Sequence, residues 1–323
     1  MSIIFFLMKQ FMFMYMTYLL YYIFMVIYKH FILKEKDLKK RYGKGSWVMI
    51  TGGDSGQGKR YAIEFAKRGF NIILCGFPSS NIVTNHIKQK YHVETEVIEC
   101  NFINAWKKDF FVDFEKAFKN HNISILVNNV GYRTGWKGYE NMPDEEIKNT
   151  IAVGTIAQSI LTKLALKHFR KRHDEGLYKS AIINITSQSV HYPLIPLPNR
   201  TTLWIPYLSV YDAANAYGFF HGNSIYSEYG HMYDILNITP GAILTKNTPY
   251  LDGTIGAIPC KLFVRNCIKL LGNINGQTCG YWLHEILSLF IGFAPEQCFF
   301  PVGDTIATEF MKTHEKNALD KYV

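Results

Sequence analysis

From Trp47 to Gly58 the chain reads WVMITGGDSGQG, and it continues as KRYAIEFAKRG to Gly69. Val48, Met49 and Ile50 predict a short buried strand, the glycines a tight turn, and Lys59 to Arg68 a helix with Ala62, Phe65 and Ala66 on one face. Such a turn leaves unpaired backbone N–H groups at the positive end of a helix. The lack of Cβ atoms at Gly52, Gly56 and Gly58 lets a pyrophosphate come close. The same residues also make an ordinary glycine-rich turn, and only the rest of the chain can separate the two readings.

Five further strands are predicted at Asn71 to Cys75, Glu96 to Cys100, Ile123 to Val127, Ala181 to Ile185 and Tyr233 to Ile238. Helical stretches lie between them: Asn81 to Tyr91, a helix closing over Lys116 to His121, Asp144 to Phe169, and Tyr211 to Tyr229. Strands that are apolar on both faces and alternate with helices imply an α/β fold, a doubly wound parallel sheet covered on both sides. Ligands bind such sheets outside the carboxyl ends of the strands. Here those ends carry Thr51-Gly52, Gly76-Phe77, Asn101, Asn128-Asn129, Thr186-Ser187 and Pro240-Gly241. Three segments are expected: residues 1–44 as an anchor with a basic juxtamembrane stretch, 45–255 as the α/β domain, and 256–323 as an apolar helical extension packed on the domain or on a membrane surface.

The anchor expectation rests on Phe11 to Tyr28 (FMFMYMTYLLYYIFMVIY), which is uncharged and flanked by more apolar residues. At 1.5 Å per residue this is about the length that crosses a hydrocarbon core. A cleaved signal peptide is the competing reading, but no small-residue cleavage site follows. A basic run follows instead, Lys29, Lys34, Lys36, Lys39, Lys40, Arg41 and Lys44, and places the remainder of the chain on the cytoplasmic side. The 35 Lys+Arg against 26 Asp+Glu, net +9, therefore point to an anionic membrane surface. No stacking or base-reading residues are interleaved with the basic groups, so nucleic acid is not an expected partner. The six cysteines form no CxxC pair, which predicts free thiols in a reducing compartment and no metal site.

Thr51, Gly52, Gly56 and Gly58 (TGxxxGxG), Asn128, Asn129 and Gly131 (NNxG), Ser187 before Tyr211, and Pro240-Gly241 with Thr245 occur in the order of the short-chain dehydrogenase/reductases, a Rossmann-type family that the chain resembles. Within it, the N-terminal anchor, the Tyr42-Gly-x-Gly-x-Trp47 lead-in, the segment from Gly58 to Ala62 and the stretch from Thr278 to His284 are similar to membrane-anchored very-long-chain 3-oxoacyl-CoA reductases and 17β-hydroxysteroid dehydrogenases. The resemblance spans most of residues 40–312. It implies hydride transfer between NADP(H) and a ketone of acyl-CoA or steroid type, in the endoplasmic reticulum membrane, by a protein that often pairs as a homodimer. It also implies Tyr211 as proton donor, Ser187 as orienter of the carbonyl, and cofactor contacts from Gly52, Asp54, Ser55, Gly56, Gly58, Asn101, Asn128, Tyr211, Pro240, Gly241 and Thr245. Asn128 at such a position is more often structural, pinning adjacent strand ends, than a direct ligand.

Several positions depart from the family. Asn215 stands where the family has a lysine four residues after the tyrosine, a spacing that puts both on one helix face. A cation beside a phenol favours the phenolate, and that help is missing here. In the helix after the NNVG segment, the stretch Asn149 to Gly154 places Ile151 where the family has its relay asparagine, and Asn149, two residues away, is expected on a different side of the helix. Gly76-Phe77 replaces the Ser-Arg whose arginine meets the 2′-phosphate of NADPH, leaving Lys59 and Arg60 as candidate phosphate partners. Asn101 stands where an aspartate contacts adenine, and Gln57 replaces an apolar turn residue. Ser187 and Tyr211 are 211 − 187 = 24 apart, about twice the family's spacing, because of the Pro-rich insertion His191 to Tyr207. That insertion suits a lipid pocket wall and a rigid surface loop equally. His284 reads as a packed helix histidine more readily than as an acid. Residues 281–293 suit an interfacial helix or a pocket cover. Two functions follow: a reductase of lowered efficiency, and a membrane-tethered protein without catalysis that binds a lipid or a regulatory partner.

Overall fold

The computed structural model describes residues 2–132, 138–190, 207–246, 248, 251–253 and 256–293. Helix α1 (Ser2–Ile27) runs into a π-helical turn at Tyr28–Ile32, and the short α2 (Leu38–Tyr42) leads to β1 (Trp47–Thr51). There follow α3 (Gly56–Lys67), β2 (Asn71–Gly76), α4 (Ser80–Tyr91), β3 (Thr95–Glu99), α5 (Val112–Asn120) and β4 (Ile123–Asn128). Next come α6 (Asp144–Ile151), a π-helical turn (Ala152–Ile156), α7 (Ala157–Asp174), β5 (Ala181–Ile185), α8 (Ser209–Tyr229) and β6 (Asp234–Ile238). A two-strand patch, β7 (Ile243–Leu244) with β8 (Ile258–Pro259), precedes α9 (Cys260–Leu270), β9 (Gly276–Thr278) and α10 (Trp282–Phe293). The predicted insertion lies, but for Tyr207, outside the described residues.

Seven parallel strands form one sheet in the order β3-β2-β1-β4-β5-β6-β9. The order reverses at β1 and β4, which opens a crevice at their carboxyl ends. All six strands expected from the sequence are present. The seventh, β9, lies within the stretch expected to be a helical extension. Its three residues, Gly276, Gln277 and Thr278, have no apolar run to announce a strand. Pairing with β6 creates it.

Alternate residues of each strand feed two cores. Val48 and Ile50 face a layer built on Phe65, Phe70, Phe263 and Ile268, while Met49 faces Phe114, Leu161 and Phe169 on the other side. Phe65 is fully buried, and its truncation removes a large side chain from a close-packed layer.

Helix α1 is apolar throughout, and Ile3–Ile32 is long and apolar enough to cross a membrane. Residues 3–14 are all exposed, whereas Val26 and His30 are buried against the domain. The joint is Glu285 of α10. Its carboxylate accepts from Thr278 Oγ1 (2.6 Å) and from Tyr22 (3.2 Å), with Lys29 at 3.5 Å and His30 at 3.7 Å. Burial alone would raise its pKa, but the His30 and Thr278 contacts and the Lys29 charge outweigh that and hold it at about 2.

Candidate functional site

The glycine turn has the geometry the sequence predicts. Gly52 has φ +64°, and a Cβ on Gly58 would lie 2.1 Å from the Gly52 carbonyl oxygen, so only glycine permits this crossing of turn and helix. The NNVG segment is stitched to the same strand end. Asn129 Nδ2 donates to Thr51 O (2.9 Å) and Gly52 O (3.2 Å), and Thr51 Oγ1 accepts from the N–H groups of Asn129 and Val130 at 3.0 Å each.

Above these ends lies a cleft of about 820 Å³. Among the predicted site residues, Gly52, Asp54, Ser55, Gly56, Asn101, Ser187, Tyr211, Pro240, Gly241 and Thr245 all line it. Thr245 sits across the turn, its methyl 3.7 Å from the Cβ position of Gly56. Asn101 accepts from the Ile103 N–H (3.3 Å), capping a short 3₁₀ turn at the rim. Ser187 Oγ accepts from the N–H and the hydroxyl of Ser189.

Two predicted residues lie elsewhere. Gly58 is buried beneath the turn, where it serves the crossing. Asn128, expected at the cofactor, is buried below the cleft. It donates to Thr162 Oγ1 (3.1 Å) and Asn184 Oδ1 (2.8 Å), and Asn184 in turn donates to Asn237 Oδ1 (2.9 Å). This amide ladder ties β4, β5 and β6 together, because the period-two alternation that turns Asn129 outward turns Asn128 inward. Asn129 was missed as the cleft residue, although its position next to Asn128 on the same strand end carried the signal.

The helix side of the cleft opens into a smaller pocket of about 120 Å³, lined by Tyr211, Asn215, Gly154, Gln158 and Gln57 among others. Asn215 Nδ2 donates to the Tyr211 carbonyl (2.9 Å), so its amide is folded onto its own helix. Ile151 is 44% exposed and lines neither cavity. Asn149 and Val153 before and after it line the main cleft with Tyr211, and Gly154 lines the smaller pocket, where an added Cβ would stand 2.9 Å from Ala214 Cβ. A π-helical turn, Ala152–Ile156, follows directly after Ile151. Gln57 Oε1 and Gln158 Nε2 are buried at this pocket without a hydrogen-bond partner among the described residues.

The electrostatics of the cleft are one-sided. Among the described lining residues there is no Lys, Arg or His, and Asp54 is the one acid. Lys59 is exposed and lines neither cavity, nor does Arg60, which instead acts on the Cys260 thiol. Cys100 lines the cleft as a neutral thiol, pushed up to about 12 by burial. His284 is fully buried, accepting from the Gly241 N–H (3.2 Å) and bonding Gly256 O (2.9 Å). Burial lowers its pKa, so it is a neutral brace for the loop after β6 and not a proton donor.

Residues 46–199 match the family described as short chain dehydrogenase. The chain is 30% identical over 261 residues to 17-beta-hydroxysteroid dehydrogenase type 3 of Homo sapiens, covering 79% of this chain and 77% of the relative. It belongs to the short-chain dehydrogenase/reductase family. A very-long-chain 3-oxoacyl-CoA reductase of Bos taurus is 29% identical over 283 residues, 84% of each chain. An inactive hydroxysteroid dehydrogenase-like protein 1 of Homo sapiens is 28% identical over 278 residues, 83% of this chain and 78% of the relative. Among solved structures, a 7beta-hydroxysteroid dehydrogenase superposes with a TM-score of 0.67 at 18% identity, over 83% of this chain and 100% of that one, and attests the fold.

For a family whose members bind nicotinamide dinucleotides, the residues present pass one test of fit and fail another. The close approach at Gly52 and Gly58 and the α3 N-terminus suit a pyrophosphate, and the cleft volume suits a ligand of dinucleotide size. No cationic side chain among the described lining residues meets a further phosphate.

Proposed function

We propose that this chain is a membrane-anchored short-chain dehydrogenase/reductase that binds a nicotinamide dinucleotide and a lipid-like ketone of 3-oxoacyl-CoA or steroid type, and that reduces the ketone slowly. The observation that carries this reading is that Ser187 and Tyr211 line one cleft with the glycine turn, while the amide of Asn215 is turned away from it. The nicotinamide supplies or accepts the hydride. The N–H groups at the start of α3 hold the pyrophosphate, Ser187 orients the carbonyl, and the Tyr211 hydroxyl donates a proton to its oxygen. Among the described residues that line the cleft there is no Lys, Arg or His to grip the nicotinamide ribose. General acid help is worth about 10²–10⁴-fold, so a poorly supported donor leaves a low rate.

The relatives and the long apolar α1 support an endoplasmic reticulum membrane location with the α/β domain on the cytoplasmic side. A homodimer through α7 and α8 is part of the reading; Tyr217 and Phe220 are exposed on α8. Detergent-solubilised full chain with reduced dinucleotide and a long-chain 3-oxoacyl-CoA should oxidise the dinucleotide slowly, and Tyr211→Phe should abolish it. A rate equal in the two proteins would overturn catalysis by this site.

The second reading is a tethered protein without catalysis. The absence of a cation among the described cleft residues favours it. Under it, no reduced dinucleotide raises the melting temperature and Asn215→Lys restores no activity; a shift of several degrees at sub-millimolar dinucleotide would exclude it.

A further inference from the structure

Strand β2 ends at Gly76, and the space beside it is furnished. A Cβ built on Gly76 would stand 3.5 Å from Asp54 Oδ1 and 3.5 Å from Ser80 Oγ. The absent side chain leaves space in the cleft beside the Asp54 carboxylate. Ser80 is fully buried behind that space and does not line the cleft, so the polar side chain presented there to a ligand is Asp54. A carboxylate can accept from two hydroxyls at once.

We propose that this nook takes the vicinal hydroxyls of an adenosine ribose, so that the protein binds NAD(H) in preference to NADP(H). The proposal rests on the dinucleotide reading of the cleft and corrects the NADP(H) that the family resemblance implies. A 2′-phosphate would bring a second anion against Asp54 with no cation among the described cleft residues to offset it. Phe77, next in the chain and 53% exposed, has no donor. The cleft offers no Lys, Arg or His among its described residues. The start of α4 offers no free backbone donors either. Its first N–H groups are engaged by the preceding turn, Ser80 to Phe77 O (2.9 Å), Asn81 to Pro78 O (3.0 Å) and Ile82 to Ser79 O (3.2 Å). Lys59 and Arg60 lie outside the cleft. Two like charges about 4 Å apart near a protein surface repel strongly enough to lower affinity by roughly 100-fold or more.

Binding is read without turnover, by titrating full-length protein in detergent with NADH and with NADPH and following nicotinamide fluorescence and melting temperature. NADH should bind on the order of 100-fold more tightly than NADPH. Asp54→Asn keeps the shape and removes the charge, and should narrow the gap by about tenfold or more. Phe77→Arg should tighten NADPH and leave NADH within about twofold. Binding of NADPH as tight as NADH, or an unchanged gap in Asp54→Asn, would overturn the proposal while leaving the dinucleotide site standing. Failure of both nucleotides to bind at millimolar concentration would overturn the proposal and the dinucleotide reading together.

Discussion

The two ends of the sheet use charge in opposite ways. At the amino ends of the strands, Arg41 of the juxtamembrane α2 meets Asp234 of β6 in a two-pronged pair at 2.6 and 2.8 Å, and Tyr42 donates to the same carboxylate at 2.8 Å. Beside them, the buried Arg172 donates to Ser180 Oγ and to Tyr42 O, and Lys36 donates to Gly272 O. At the carboxyl ends, the described residues of the cleft contain one carboxylate and no cation. Arg41, Arg172 and Lys36 are thus structural fasteners, while the described residues of the cleft offer an anionic ligand backbone N–H groups and no cationic side chain.

The largest effect should come from breaking the fastened end. Asp234→Ala leaves Arg41 and Tyr42 facing a void, and should cost about 3 kcal/mol, at the low end for a broken buried pair because the Arg41 side chain is 26% exposed. Chemical denaturation with and without the substitution measures it. A loss below about 1 kcal/mol would show that the pair is not what secures α2.

The anchor joint should show in the acid limb of stability. Glu285 is held at about 2, below an ordinary carboxylate at 4.5. Its folded-state pKa is depressed, so its contribution is fully present above 4.5 and is lost as pH falls from 4.5 through 2. The depression corresponds to about 3 kcal/mol. Glu285→Gln should remove most of that acid dependence, seen as melting temperatures that converge with wild type at low pH.

A comparable effect, on rate instead of stability, is expected at the other end. Asn215→Lys restores a cation beside Tyr211 and should raise turnover about 100-fold. Its melting temperature should change little, since Asn215 bonds its own helix. No gain in rate would mean that the Gly154 pocket, and not the missing lysine alone, limits proton transfer. The smallest effect is expected for Lys59→Ala, which should alter dinucleotide affinity by less than about twofold because the side chain is exposed and outside the cleft.

The legible parts of the molecule were those written in local pattern. The strands β1, β2 and β4 are runs of buried aliphatic residues, and Gly52 and Gly58 stand where a positive φ and a close backbone contact require them. What escaped a linear reading depended on partners distant in sequence. Strand β9 exists because β6 offers it an edge. Ile151 lies outside the cleft that Asn149 and Val153 line, and Gly154 packs against Ala214 of α8. Asn128 was separated from Asn129 only by the two faces of one strand end.

By itself the sequence determined the doubly wound sheet, the apolar N-terminal helix and the absence of a lysine four residues after Tyr211. Periodicity and residue type decide those features without reference to the rest of the chain. Tertiary structure alone decided that the Asn215 amide turns back on its helix, that Gly154 packs against Ala214, and that Asp54 and Ser80 both approach the Cβ position of Gly76. Each of these is a distance between residues on different turns or elements, and close packing of the two helical layers on the sheet sets such distances.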